Sequence, residues 1–103
     1  MNKTILGAAV LALTLANVAT SANAGPISRA CMSSDRGARS SGLCSCIQKV
    51  ANQTLNWTDQ RQAAKFFREP QRAQDVRMST TQNDNDFWAR YKTFGAEAER
   101  SCS

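Results

Sequence analysis

The sequence predicts a small all-α domain, a bundle of four to five short helices stapled by two disulfides. Apolar residues recur at helical spacing along most of the chain, and no run alternates as a half-buried strand would. The chain has 103 residues and four cysteines. A chain this short buries little apolar surface and commonly needs covalent cross-links.

Residues 1–24 have the pattern of an export signal. A short, positively charged start precedes a dozen mostly apolar residues, Ile5 to Ala16, and the segment ends on the small-x-small sequence Ala-Asn-Ala. A membrane anchor needs ~20 apolar residues, so an integral membrane protein is not expected. We predict a signal peptide over 1–24 and a single domain over 25–103, located in the periplasm or secreted.

Residues typical of helix N-termini predict where the first two helices begin. Pro26 at a first helical position opens a short helix that runs to Met32. Ser33 to Gly42 is rich in Ser and Gly and predicts a loop. Ser40 or Ser41 then caps a helix that runs to about Leu55. Its predicted buried stripe comprises Leu43, Cys46, Ile47, Val50 and Thr54.

The third and fourth helices are separated by a proline. Asn56 or Thr58 is a cap for a helix over Asp59 to Arg68. Pro70 ends that helix, because it lacks an N–H and clashes with the preceding turn. Pro70 also suits the start of the next helix, Gln71 to about Met78.

The last helix has the clearest periodicity. Asn83 with Asp86 three residues later predicts a capping box at the start of a helix over Asp84 to about Ser101. Its apolar stripe comprises Phe87, Tyr91, Phe94, Ala98 and Cys102.

The four cysteines allow three pairings. On a helix, Cys44 and Cys46 point about 200° apart, so one can hold the preceding chain and the other the following chain. Cys31 lies one short linker before Cys44, whereas Cys46 and Cys102 both lie on predicted buried stripes. We predict Cys31–Cys44 with Cys46–Cys102, and the alternative is Cys31–Cys46 with Cys44–Cys102.

The Cys44-Ser45-Cys46 segment also has chemical interpretations, as a redox pair or as metal ligands. A catalytic dithiol usually has two intervening residues, and cysteines two apart on a helix are badly aimed at each other. A zinc site would want histidine or paired CxxC spacings, and the chain has no histidine. We expect a structural role, with no metal and no cofactor.

The lack of histidine also removes the commonest general base. The acidic pairs Asp84 with Asp86 and Glu97 with Glu99 are each two apart on a helix, so their carboxylates diverge. A non-catalytic protein is therefore expected.

The basic residues predict a surface for an anionic partner. Lys3 is the only charged residue before Gly25, so the remaining chain has twelve basic and eight acidic residues, a net charge of +4. Such a charge attracts an acidic protein, polymer or lipid surface, and a solubilising helix face is the alternative. Nucleic acid is not expected for an exported chain without a recognition motif. The candidate residues are Arg61, Lys65, Arg68 and Arg72, although Pro70 is expected to break their line.

The aromatic side chains are expected to form the core, because a domain of this size must use nearly all of them. They are Trp57, Phe66, Phe67, Phe87, Trp88, Tyr91 and Phe94.

Several short segments resemble a group of short, exported, uncharacterised alphaproteobacterial proteins, some of which carry the automatic label "arginine transporter". The resemblance covers most of 25–103. It implies a Gram-negative periplasm and brings no site residues. The segments are Cys31-Met32-Ser33, Leu43-Cys44-Ser45-Cys46-Ile47-Gln48, Asp59-Gln60-Arg61, Ala64, Phe66-Phe67, Val76-Arg77-Met78-Ser79, Phe87-Trp88, Tyr91 and Cys102.

Together these observations predict a non-catalytic exported binding or interaction protein with a basic helical surface. A transport accessory protein for a small solute such as arginine is one alternative. An arginine site would want converging carboxylates and an aromatic face. A thiol–disulfide redox protein is the other alternative.

Overall fold

The computed structural model describes residues 25–34 and 40–102. These residues form helices joined by short connections and contain no strand, so the predicted all-α class is confirmed. The predicted signal peptide, 1–24, and residues 35–39 of the predicted first loop lie outside the described residues. The helices are α1 (Pro26–Ser33), α2 (Ser41–Thr54), α3 (Trp57–Arg68), α4 (Pro70–Arg77) and α5 (Gln82–Ser101).

Most helices begin where the predicted signals place them. The Ser40 hydroxyl caps α2 by accepting a hydrogen bond from the Leu43 N–H at 3.0 Å. The Asn56 side chain caps α3 in the same way. Both α1 and α4 have proline in their first turn, where the missing N–H costs no helical hydrogen bond.

The predicted capping box of the last helix is wrong. The cap of α5 is Thr81, whose Oγ1 accepts a hydrogen bond from the Asp84 N–H at 3.2 Å. Asn83 lies inside the first turn, and Asp86 instead accepts a hydrogen bond from the Gln82 amide at 2.8 Å. Threonine and asparagine are both good caps, so the local sequence did not distinguish the two starts.

Helix α2 lies between α1 and α5 and is bonded to both. Cys44 is bonded to Cys31 of α1, with Cα atoms 5.6 Å apart, and Cys46 to Cys102 at the end of α5, with Cα atoms 5.8 Å apart. The predicted pairing is therefore confirmed. The two cysteines leave α2 on different sides, which makes this helix the centre of the cross-linked part of the fold.

The most buried face of α2 differs from the predicted stripe. Cys44 and Ala51 are fully buried and Gln48 is 1 % exposed, whereas Leu43 and Ile47 of the predicted stripe are only half-buried. Helix α1 covers the face of α2 that carries Cys44 and Gln48, through its disulfide to Cys44 and a hydrogen bond to Gln48. Val50 of the predicted stripe is buried as expected, and Leu43, Cys46 and Ile47 pack against the core. The apolar period missed the neighbouring face because it counted glutamine as solvent-facing.

The second part of the core is aromatic. Phe66 of α3 packs edge-on against Phe87 and Tyr91 of α5, with ring centroids 5.9 and 5.1 Å apart. Tyr91 also contacts Trp88 and Phe94. These rings fill the space between α3 and α5, as expected, and we call them the aromatic region. Trp57 is the exception, since 57 % of it is exposed.

Candidate anion-binding surface

Helix α3 has two contrasting faces. Its buried face turns Gln60, Ala63 and Phe66 into the core. Its outer face carries Trp57, Arg61 and Lys65, each four residues from the next, and all three are exposed. Residues four apart lie above one another on a helix, so these three form a continuous row, here called the basic ridge.

A groove of about 560 Å³ lies between α1 and α3, on one side of the basic ridge, and we call it the basic groove. Arg29 lies on its α1 wall, and Arg61, Lys65 and Arg68 lie on its α3 wall. Among residues 25–34 and 40–102, no carboxylate lines this groove, and the other lining residues are Pro26, Ala30, Ser33, Trp57 and Ala64. The groove therefore presents positive charge from two directions.

A second groove, of about 460 Å³, lies on the other side of the basic ridge, toward α4. The ridge residues line both grooves, and Arg72 and Val76 supply the α4 wall. Arg72 forms an ion pair with Glu69, three residues earlier on the chain, so part of its charge is already compensated.

The structure thus brings three of the four predicted cations together. Arg61, Lys65 and Arg68 share the basic groove, while Arg72 lines only the neighbouring one. The predicted break at Pro70 is confirmed, because α3 ends at Arg68 and α4 begins at Pro70.

Two residues of this surface were not among the predicted ones. Arg29 of α1 joins the basic groove through the packing of α1 on α3, a tertiary contact that no local pattern reveals. Trp57 was expected in the core. A signal for its position existed, because Trp57 precedes Arg61 by four residues and Lys65 by eight, and so shares their helix face.

The cations of the basic groove have no carboxylate partner among residues 25–34 and 40–102. The ion pairs in this part of the protein join Arg72 to Glu69, Arg90 to Asp59 and Arg100 to Glu97. Arg29, Arg61, Lys65 and Arg68 take part in none of them. Their charges are therefore available to an external anion.

An ion pair between buried Asp59 of α3 and exposed Arg90 of α5 fixes the orientation of α3 about its axis. Asp59, only 4 % exposed, accepts hydrogen bonds from Nε and Nη2 of Arg90 on α5 at 2.6 and 3.0 Å. The hydrogen bond to Asp59 raises the pKa of the Arg90 guanidinium. Arg90 thereby anchors α3 to α5. Because Asp59 is held inward, the opposite side of α3 faces solvent.

A buried amide network holds α1 beside α3. Gln48 Oε1 accepts a hydrogen bond from the Ser28 N–H at 2.8 Å, which satisfies a free donor in the first turn of α1. Gln48 Nε2 donates to Gln60 Oε1 at 2.8 Å and to Asn52 Oδ1 at 2.9 Å. Gln60 Nε2 in turn donates to the Leu55 carbonyl at 3.2 Å. One side chain of α2 therefore positions both walls of the basic groove.

Cys44 and Cys46 each take part in a disulfide that links α2 to another part of the fold. Cys31 and Cys44 are almost completely buried, and the described residues contain no free cysteine. Each cysteine of the segment is bonded to a distant residue rather than to the other.

Two of the carboxylates that an arginine site could use are engaged in ion pairs. Asp59 binds Arg90, and Glu97 binds Arg100 and the Ser101 hydroxyl. Within the described part of the chain, no three His, Cys, Asp or Glu side chains are grouped as metal ligands would be.

Comparison of the chain with protein-family models, curated proteins and solved structures gives no match. Among the helices of residues 25–34 and 40–102, none has both the length and the apolar character that crossing a membrane requires.

Proposed function

We propose that this protein is a non-catalytic exported binding protein that uses the basic groove and basic ridge to hold an anionic partner. The observation that carries the proposal is the basic groove itself, with cations on both walls and no carboxylate among the described residues that line it. Clustered charge of one sign in a concave surface concentrates field and attracts ligands of the opposite sign.

Export to the periplasm or beyond is supported by the signal pattern of 1–24 and by the two disulfides, which persist in oxidising compartments. The full-length sequence, expressed in a Gram-negative host, is expected in the periplasmic fraction or the medium. Intact mass should show a chain that starts at Gly25 and contains two disulfides. Recovery of the unprocessed, thiol-containing chain from the cytoplasm would contradict export.

A non-catalytic role is supported by the chain's lack of histidine and by the engagement of Asp59 and Glu97 in ion pairs. The transport-accessory alternative needs a carboxylate site for arginine. Calorimetry with arginine tests it, since the absence of heat at millimolar arginine would discard it. The redox alternative needs reactive thiols, and thiol titration of the exported protein tests it.

Retention on a heparin column tests the anionic-partner proposal, with heparin as a generic polyanion. We compare the double variant Arg61→Glu/Lys65→Glu with the matched control Lys49→Glu/Lys92→Glu. The control makes the same change in net charge at exposed positions outside both grooves. The groove variant is expected to elute at clearly lower salt than the control, because surface cations bind polyanions through salt-sensitive contacts. Equal elution of the two variants would show that net charge alone causes retention.

A further inference from the structure

We infer that the basic groove binds an extended, acidic polypeptide segment whose carboxylates occupy alternate positions. This inference rests on the proposed function and names the class of partner. Three features of the described residues lead to it: the spacing of the ridge, the charge on both walls, and the exposed indole at one end.

The spacing of the basic ridge matches that of an extended chain. Helical residues rise 1.5 Å each, so Trp57, Arg61 and Lys65 succeed one another at about 6 Å along α3. Side chains on one face of an extended peptide recur every second residue, at about 6.6 Å. Carboxylates at alternate positions of such a peptide can therefore meet Arg61 and Lys65 together, whereas adjacent carboxylates point to opposite sides.

The opposing wall favours an occupant that enters the groove. Arg29 of α1 lies across from the cations of α3, and Arg68 extends the α3 wall by another turn. A flat lipid surface would contact the outer edges of this concave site, and the cations inside the groove would lie farther from its anionic groups. From Arg61 to Arg68 the wall rises about 10 Å, which is the length of about three extended residues.

The exposed indole gives the site a chemically distinct end. Trp57 lines both grooves and precedes the first ridge cation by one helical turn. Tryptophan is enriched where proteins bind partners, because its ring gives a large contact area. We therefore place an apolar or aromatic residue of the partner beside Trp57, next to the acidic positions.

The test uses two fluorescently labelled peptides with the same composition, bound to the exported protein and followed by anisotropy at low salt. One peptide alternates the residues, Phe-Thr-Glu-Thr-Glu-Thr-Glu, and the other, Phe-Thr-Glu-Glu-Thr-Thr-Glu, has no two carboxylates two residues apart. The alternating peptide is expected to bind at least about threefold more tightly, since it places every carboxylate on one face. Equal affinity for the two peptides would overturn the inference.

Variants locate the binding. Arg61→Gln/Lys65→Gln is expected to weaken the alternating peptide about tenfold, as the loss of two charge-assisted contacts implies. Lys49→Gln/Lys92→Gln, which removes the same charge elsewhere, should change affinity less than twofold. Trp57→Ala should weaken binding while thermal unfolding is unchanged, because the indole is exposed. A control variant as damaging as the groove variant would contradict the site.

Binding to vesicles containing phosphatidylglycerol tests a lipid surface as the alternative partner. Vesicle binding that depends on Arg61 and Lys65, without discrimination between the peptides, would overturn the peptide inference and leave the proposed function standing. If, in addition, Arg61→Glu/Lys65→Glu and its control eluted from heparin at the same salt, both the peptide inference and the proposed function would be overturned.

Discussion

The two halves of the core are stabilised by different means. The region around α1 and α2 contains both cysteines of the Cys44-Ser45-Cys46 segment and the buried Gln48 network, but no aromatic ring. The region between α3 and α5 has the aromatic cluster and no cross-link within it. The difference shows that covalent bonds and buried amides substitute for large side chains where an eight-residue helix, α1, must be held.

The largest expected effect comes from the aromatic region. Phe66→Ala should lower the free energy of unfolding by about 4 kcal/mol, because it removes a buried ring that packs on Phe87 and Tyr91. Urea unfolding followed by circular dichroism measures it. Trp57→Ala is the control from the outer face of the same helix, and it should change stability by less than about 0.5 kcal/mol. A similar cost for both would mean that the aromatic region is not the main apolar core.

The next effect tests the covalent support of α1. Cys31→Ser/Cys44→Ser opens a link between residues 13 apart in sequence. The chain-entropy model gives a loss of about 3 kcal/mol for a loop of this size. Urea unfolding of the exported variant measures it, and hydrogen exchange should show faster exchange in α1 than in α5. Uniform acceleration in both helices would indicate that the cross-link does not act locally.

A smaller effect is expected from the buried amide. Gln48→Leu keeps the approximate size of the side chain but removes the partners of the Ser28 N–H and of Gln60 Oε1. Leaving such buried groups unpaired should cost about 2 kcal/mol. The exposed Gln53→Leu on the same helix serves as the control. Equal melting temperatures for the two variants would show that the network contributes little.

The smallest expected effect is on the pH dependence of stability, through the Tyr91 hydroxyl of the aromatic region. Burial raises the pKa of the Tyr91 hydroxyl. Above pH about 10 the unfolded chain therefore loses this proton before the folded chain does, so stability should fall as pH rises further. Tyr91→Phe should remove this part of the alkaline loss, measured as the melting temperature at about pH 8 and about pH 11. Tyr91 is the only tyrosine, so ultraviolet titration assigns its pKa directly. A Tyr91 pKa at the usual value for tyrosine would contradict this prediction and would mean that water reaches the hydroxyl.

Much of the fold follows from local sequence signals. The opposite directions of Cys44 and Cys46 indicated that each bonds to a different part of the chain, and the short linker from Cys31 to Cys44 favoured the observed pairing. Pro70 predicted the boundary between α3 and α4, because it cannot continue a helix. The role of Gln48 was not predictable in this way. Its burial depends on partners from α1 and α3, which only the tertiary fold supplies.

The candidate surface was predictable in part for the same reason. Arg61, Lys65 and Arg68 share a helix face at a spacing visible in the sequence. Arg29 reaches them from another helix, and Trp57 was assigned to the core by composition, although its place in the first turn of α3 exposes it. The start of α5 at Thr81 rather than Asn83 reflects a choice between two equally good caps.

Gly25 lies at the start of α1, where a Cβ atom would overlap the Gln48 amide group. The amide cannot easily swing aside, because its hydrogen bonds to Ser28 and Gln60 fix its position. If the leader is removed after Ala24 as proposed, one residue must satisfy both the protease that cuts there and the packing of the finished domain. Alanine at this position would then place its Cβ against the Gln48 amide and disturb the start of the first helix. Under the proposed processing, packing inside the folded domain would therefore limit which residue can follow the cleavage site.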